Sequence, residues 1–300
     1  MKKYSIFLII IFSAFSLIGK PALADNGSST VQKALDSTKQ FLDDLVTSKD
    51  ENSGDDIALR VQTFNKIIDL SQAEAKDFEF KLIAVDKDDK LDAWKRSALK
   101  GFDQAIAFFD SQKDLIPDSK PVDLADIKKI AQDFKLWRDA NYLPLVSQVQ
   151  DFLLIKQEVK GIQTAQARFQ KITNDLKSLK QSAIANSSNI KKYLDNSKKS
   201  IDQAVDLNNQ ATNLFIKNYM KMTESTSTST STEPVSTSTD VFGALVVSDS
   251  TSTATSSPAD ISAPAPIVSI KDLVKSSLDK IKDAYQGFID ISNLVRKLLK

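Results

Sequence analysis

The chain has 300 residues, with 40 Lys+Arg against 39 Asp+Glu, and contains neither cysteine nor histidine. Disulfides, thiolate metal sites, lipoprotein acylation and thiol nucleophiles are therefore excluded, and the commonest general base and zinc ligand are missing. Only 7 glycines leave little material for phosphate-cradling loops, and with 35 Lys but 5 Arg the chain has few bidentate phosphate or guanine readers.

Lys2 and Lys3 precede an apolar run from Ile6 to Ile18, followed by Gly19-Lys20-Pro21 and Ala22-Leu23-Ala24. A positive start, an apolar centre and a small-x-small site in that order predict a secretory signal over residues 1–24, cleaved after Ala24. Thirteen residues at about 1.5 Å each reach only roughly 20 Å, short of the ~30 Å hydrocarbon core. The expected location is the periplasm, the cell envelope or the extracellular space. Cleavage would remove three lysines and no acids, leaving 37 basic and 39 acidic residues. That balance gives no sign of a nucleic-acid partner.

Residues 25–222 read as a helical domain. An amphipathic segment from Ser29 to Ser48 carries Val31, Leu35, Thr38, Leu42 and Leu45 on one face. Asp56 to Asp86 repeats with 4-3 spacing through Ile57, Val61, Phe64, Ile68, Ser71, Ala75, Phe78, Leu82 and Val85, the seam of a long helix. A third helix, Leu91 to Lys113, presents Leu91, Trp94, Ala98, Phe102, Ile106 and Phe109 before Pro117 and Pro121. A fourth opens at Asp123 with Asp126 in capping-box form, and carries Ile127, Ile130, Phe134 and Trp137. Asn141-Tyr142-Leu143-Pro144 predicts its end and the start of the next. From Leu145 to Met222 one residue in seven is apolar for most of the length, including Ile155, Ile162, Phe169, Ala204 and Ala211. The cap-forming run Asn186-Ser187-Ser188-Asn189 predicts a hairpin or strong kink, although the repeat keeps its phase there.

Residues 223–268 differ sharply in composition. No Lys or Arg occurs from Met222 to Ile270, and residues 223–257 hold 21 Ser or Thr in 35 positions. Such a stretch has too little apolar surface to offset ordering entropy and reads as a disordered linker. About 46 flexible residues have a root-mean-square span near 40 Å. An apolar island around Val241, Phe242 and Leu245 is a candidate contact segment within it. Residues 269–300 form a last amphipathic helix, opened by Ser269-Ile270-Lys271-Asp272, with Val274, Leu278, Ile281, Tyr285, Phe288 and Val295 as its candidate interaction face. Acids distributed along it favour docking on the rest of the chain over a membrane surface, although its basic end suits peripheral membrane contact.

Signals for catalysis are weak. Asp50–Asp55 resembles the start of a calcium loop, but its glycine falls at the fifth position and Val61 stands where a bidentate Glu is required. Asp86-Lys87-Asp88-Asp89 also lacks the glycine and closing Glu. Ser-x-x-Lys occurs at Ser97/Lys100 and Ser277/Lys280 without the companion motifs of Ser–Lys acyl transfer. No catalytic, metal or cofactor residue is nominated. The expectation is an all-α protein: an elongated antiparallel bundle with coiled-coil hairpins, a disordered Ser/Thr-rich linker and a C-terminal amphipathic helix. Its expected function is that of an exported, non-enzymatic scaffold binding a partner protein through helical faces or the tethered helix. The alternatives are a membrane-active, pore-forming-like protein and, less favoured, an enzyme independent of His and Cys. The long seam leaves a homo-oligomer open.

Overall fold

The computed structural model describes residues 28–47, 54–86, 90–116, 123–178, 187–220 and 268–298. Every regular element among them is helical: α1 (Ser28–Thr47), α2 (Gly54–Ile83), α3 (Asp92–Asp114), α4 (Leu124–Trp137), α5 (Leu143–Ser178), α6 (Ser188–Phe215) and α7 (Ile270–Leu298). Two π-helical turns, Arg138–Tyr142 and Ile216–Met220, join α4 to α5 and extend α6. The expected signal, residues 50–53 of the acidic run, Pro117, Pro121 and residues 223–267 of the linker with its apolar island lie outside the described residues.

The 4-3 series of α2 is buried at Phe64, Ile68, Ser71, Ala75 and Leu82. The opposite side is buried as well, at Asp56, Arg60, Thr63, Ile67 and Leu70, because α2 lies between α1 and α3. Short polar side chains let α1 and α2 approach: Thr38 and Thr63 donate within their own helices, to Ala34 O at 2.7 Å and Leu59 O at 2.8 Å, with Lys66 O and Phe41 O of the facing helix at 3.0 and 3.4 Å. Asp77 and Lys81, four residues apart on α2, pair at 2.6 Å. On the other flank, Gln72 donates to Asp110 of α3 and accepts from Lys113, which also pairs with Asp69.

Asp123 caps α4 as its spacing predicts, accepting from Asp126 N at 2.8 Å. The break expected at Asn141–Pro144 does not occur. Helix continues from Leu124 to Ser178 through the π turn, with the Leu143 amide bonded five residues back to Arg138 O. A proline inside an α-helix has no amide hydrogen and its ring clashes with the carbonyl four residues earlier; a locally widened turn relieves both. Pro144 therefore changes the pitch of this helix rather than ending it.

The expected break before Asn189 is present. Ser187 caps α6 by accepting from Ile190 N, and α6 runs back along α5. Asn208 reaches Ile155 O and Glu158, whereas Tyr219, in the π turn beyond α6, reaches Asp151, earlier on α5. Ser269 caps α7, accepting from Asp272 N at 3.1 Å, while Asp272 Oδ2 accepts from Ser269 N and Oγ. The most extensive helix–helix contact is between α6 and α7. Small residues seven apart line it, Ser197, Ala204 and Ala211 on α6 and Ser277 and Ala284 on α7, all nearly inaccessible to solvent. With so little side chain between them the backbones approach closely, and each serine reaches the other helix: Ser277 Oγ donates to Ala204 O at 2.9 Å and Ser197 Oγ to Ala284 O at 3.3 Å.

Two apolar cores result. The larger joins α1 to α5 with the end of α6 and the start of α7, through residues such as Phe64, Trp94, Phe102, Phe152, Phe215 and Val274. The smaller joins the second half of α5 to α6 and α7, through Ile162, Ala165, Ile201, Ala204, Ile281, Ala284 and Phe288.

Candidate binding cleft and the docked C-terminal helix

The larger core is an aromatic stack. Trp94 packs on Phe152 (4.8 Å between ring centroids) and edge-on against Phe215 (4.9 Å). Phe108 stacks on Trp137 at 3.8 Å, and Phe109 meets Tyr142 at 5.3 Å. Edge-to-face and offset pairs of this kind add to the area term. The first π turn directs two polar residues inward. Tyr142, fully buried, donates to Glu74 Oε2 at 3.1 Å, and Arg138 Nη2 lies 3.4 Å from the same oxygen. Burial, and after it the Glu74 charge, raises the Tyr142 hydroxyl well above its ordinary pKa, so it stays a neutral donor.

A cleft of about 520 Å³ opens beside this stack. Trp94, Ser97, Gly101 and Gln104 of α3 form one wall. Trp137, Asn141, Tyr142, Leu145 and Gln148 form another, across the first π turn, and Tyr219 of the second π turn closes the end. No lining residue carries a charge. α5 approaches α3 closely at Gly101, where a Cβ would lie 2.9 Å from the tip of the Leu145 side chain. The Trp94 indole donates to Gln148 Oε1 at 3.3 Å, and the Tyr219 hydroxyl to Asp151 Oδ2 at 3.0 Å. Burial and then the Asp151 charge push Tyr219 up to about 12; burial raises Asp151 too, against the pull of Tyr219 and Lys271. Exposed amides and hydroxyls beside flat aromatic faces can hold an uncharged group that is apolar on one side and hydrogen-bonding on the other. π turns are frequent where helical proteins bind ligands, and both π turns among the described residues contribute to the cleft.

The face expected for the last helix is partly rotated. Val274, Ile281 and Phe288 are buried, but the positions between them are Ser277 and Ala284 rather than Leu278 and Tyr285. Leu278 is 50% exposed. The small residues face the close α6 contact, so size rather than hydropathy selects them. Tyr285, Phe288 and Val295 also line a second cleft of about 880 Å³ between the ends of α5 and α7, with Arg168, Lys171, Asp175 and Arg296. Arg168 lies over the Tyr285 ring at 5.5 Å. Val241, Phe242 and Leu245 lie outside the described residues. Among the Ser-x-x-Lys serines, Ser97 is exposed at the first cleft, whereas Ser277 is fully buried, with Lys280 paired to Asp283.

The sequence nominated none of the cleft residues as a site. Trp94 and Trp137 read only as core positions, and the one available signal, a proline inside a helical pattern, read as a helix end. Among the described residues no group of three or more acidic side chains is placed to hold a metal ion. No helix among them is long and apolar enough to cross a membrane. Comparison with known proteins gives no match to this chain from any family model, curated protein or solved structure.

Proposed function

We propose that the chain is an exported, non-enzymatic scaffold, an elongated antiparallel helical bundle that binds a partner protein through the cleft between its two π turns. The observation that carries this reading is the cleft's composition: the half-buried rings of Trp137 and Tyr219 over buried Trp94 and Tyr142, exposed amides and no charge, on a surface otherwise dense in Lys and Asp. Interfaces concentrate aromatic residues and deplete charge at their centres. The face of α7 that would otherwise serve a partner is occupied by α5 and α6. The favoured ligand is a short uncharged segment of a partner with one or two apolar side chains. The linker keeps α7 near its own seam and sets its effective concentration there.

Gln104 and Asn141 are exposed, so Gln104→Glu with Asn141→Lys places charge in the cleft while leaving the core untouched. Affinity capture with the wild type and with this double variant, matched for helical content, tests the reading. A protein retained by the wild type and lost with the variant supports it, and identical capture profiles contradict it.

A further inference from the structure

Glu158 is one of the buried acids among the described residues, with Asp56 and Asp151. It is 2% exposed, on α5, where α6 and α7 close over it between the two cores. Its Oε2 accepts from Asn208 Nδ2 at 3.0 Å, while its Oε1 has no hydrogen-bond partner. Asn208 spreads its donors between this carboxylate and Ile155 O. Ser277 of α7 also bears on the carboxylate, but its hydroxyl donates to Ala204 O. In this arrangement Oε1 is left without a donor. An ionised carboxylate needs donors on both oxygens, whereas a protonated one supplies the missing donor itself. The groups that bear on Glu158 from the facing helices, Asn208 of α6 and Ser277 of α7, are both uncharged. One charged cross-contact lies nearby: Asp151, seven residues earlier on α5, faces Tyr219 beyond α6 and feels Lys271 of α7.

We propose that docking of α7 onto α5 and α6 takes up a proton at Glu158, so that the tethered helix is held under acid conditions and loosened as the pH rises. The inference rests on the α5–α6–α7 seam and is independent of the cleft. Burial is the largest influence on Glu158 and raises its pKa, with the contacts to Ser277 and Asn208 acting the other way. A raised acid pKa stabilises the docked form fully below the ordinary glutamate value; that contribution is lost as pH rises through the raised value. Asp151, raised for the same reason, has the same sign.

The chain has no cysteine, so a cysteine pair replacing exposed Lys199 of α6 and Lys282 of α7 in the full chain takes spin labels cleanly. The readout is the urea midpoint at which the short inter-label distance disappears, measured at about pH 4.5 and about pH 7.5, within the carboxylate titration range and above it. The expected result is a lower midpoint at the higher pH, with most of that difference lost in Glu158→Gln. Glu158→Met, apolar and of similar size, serves as a second variant and is expected to lose the difference too. Asp151→Asn is expected to retain most of it. A wild-type midpoint independent of pH, or a pH difference retained in both Glu158 variants, would overturn the proposal.

Discussion

Gly287 shows how close the α6–α7 contact is. A Cβ at this position would overlap Ser197 Oγ, which is buried and committed to Ala284 O. Gly287→Ala is expected to destabilise the protein by about 1–3 kcal/mol, the usual cost of overpacking a filled site. Urea denaturation should show partial recovery in Gly287→Ala with Ser197→Ala, and equal losses in the single and double variants would refute the steric account. The aromatic core behaves in the opposite sense. Phe215 is fully buried against Trp94, Phe152 and Tyr219, so Phe215→Ala should cost about 3–5 kcal/mol by leaving a cavity. Denaturant midpoints measure both. The two positions differ in what the sequence reveals. Phe215 is apolar in any context, but Gly287 and Ser277 acquire meaning only from the helix facing them. Glu158 was hidden for the same reason, since a lone Glu in a helical pattern reads as solvated surface until its neighbours are known.

Helices were legible where one side is buried, as in α3, whose expected Trp94, Ala98, Phe102 and Phe109 are all in the core. They were less legible where two partners compete, as in α2, whose second buried side includes Arg60 paired with Asp56 at 2.6 Å. The α7 face was misread by one position for a related reason: a hydropathy pattern prefers Leu278 over Ser277, and a tight helix contact reverses that preference. Pro144 was misread because proline usually ends a helix, and only the π turn shows how this one continues. Capping was plain from the sequence because it depends on residues three apart. The α7 cap also gives α7 a second titration. Hydrogen bonds from Ser269 hold Asp272 below the ordinary aspartate range. A lowered pKa contributes stability above the ordinary value, and that contribution is lost as pH falls through the lowered one. Glu158 acts in the reverse direction above the ordinary glutamate value. The stability of α7 docking is therefore expected to peak in the mildly acid range. A pH series of the spin-label midpoint should show this maximum, and Asp272→Asn should remove the decline on the acid side only.

At the scale of the molecule, the neutral charge total conceals an uneven distribution. The body over residues 25–221 balances 30 basic against 30 acidic residues, the linker carries −5 and the last helix +3. Against that charged exterior, the cleft between the π turns is an uncharged aromatic surface, and it carries the functional proposal. It was not legible in the sequence because its walls come from α3, the α4–α5 junction and the π turn beyond α6, which only folding brings together. Site-directed photo-crosslinking of the full chain in extracts of its native cells and their medium tests this claim most directly. A benzoylphenylalanine replaces Asn141 at the cleft or, as control, exposed Lys129 on α4. The account predicts a discrete adduct with another protein from position 141 and none from position 129. No adduct at 141, or the same adducts from both positions, would contradict it.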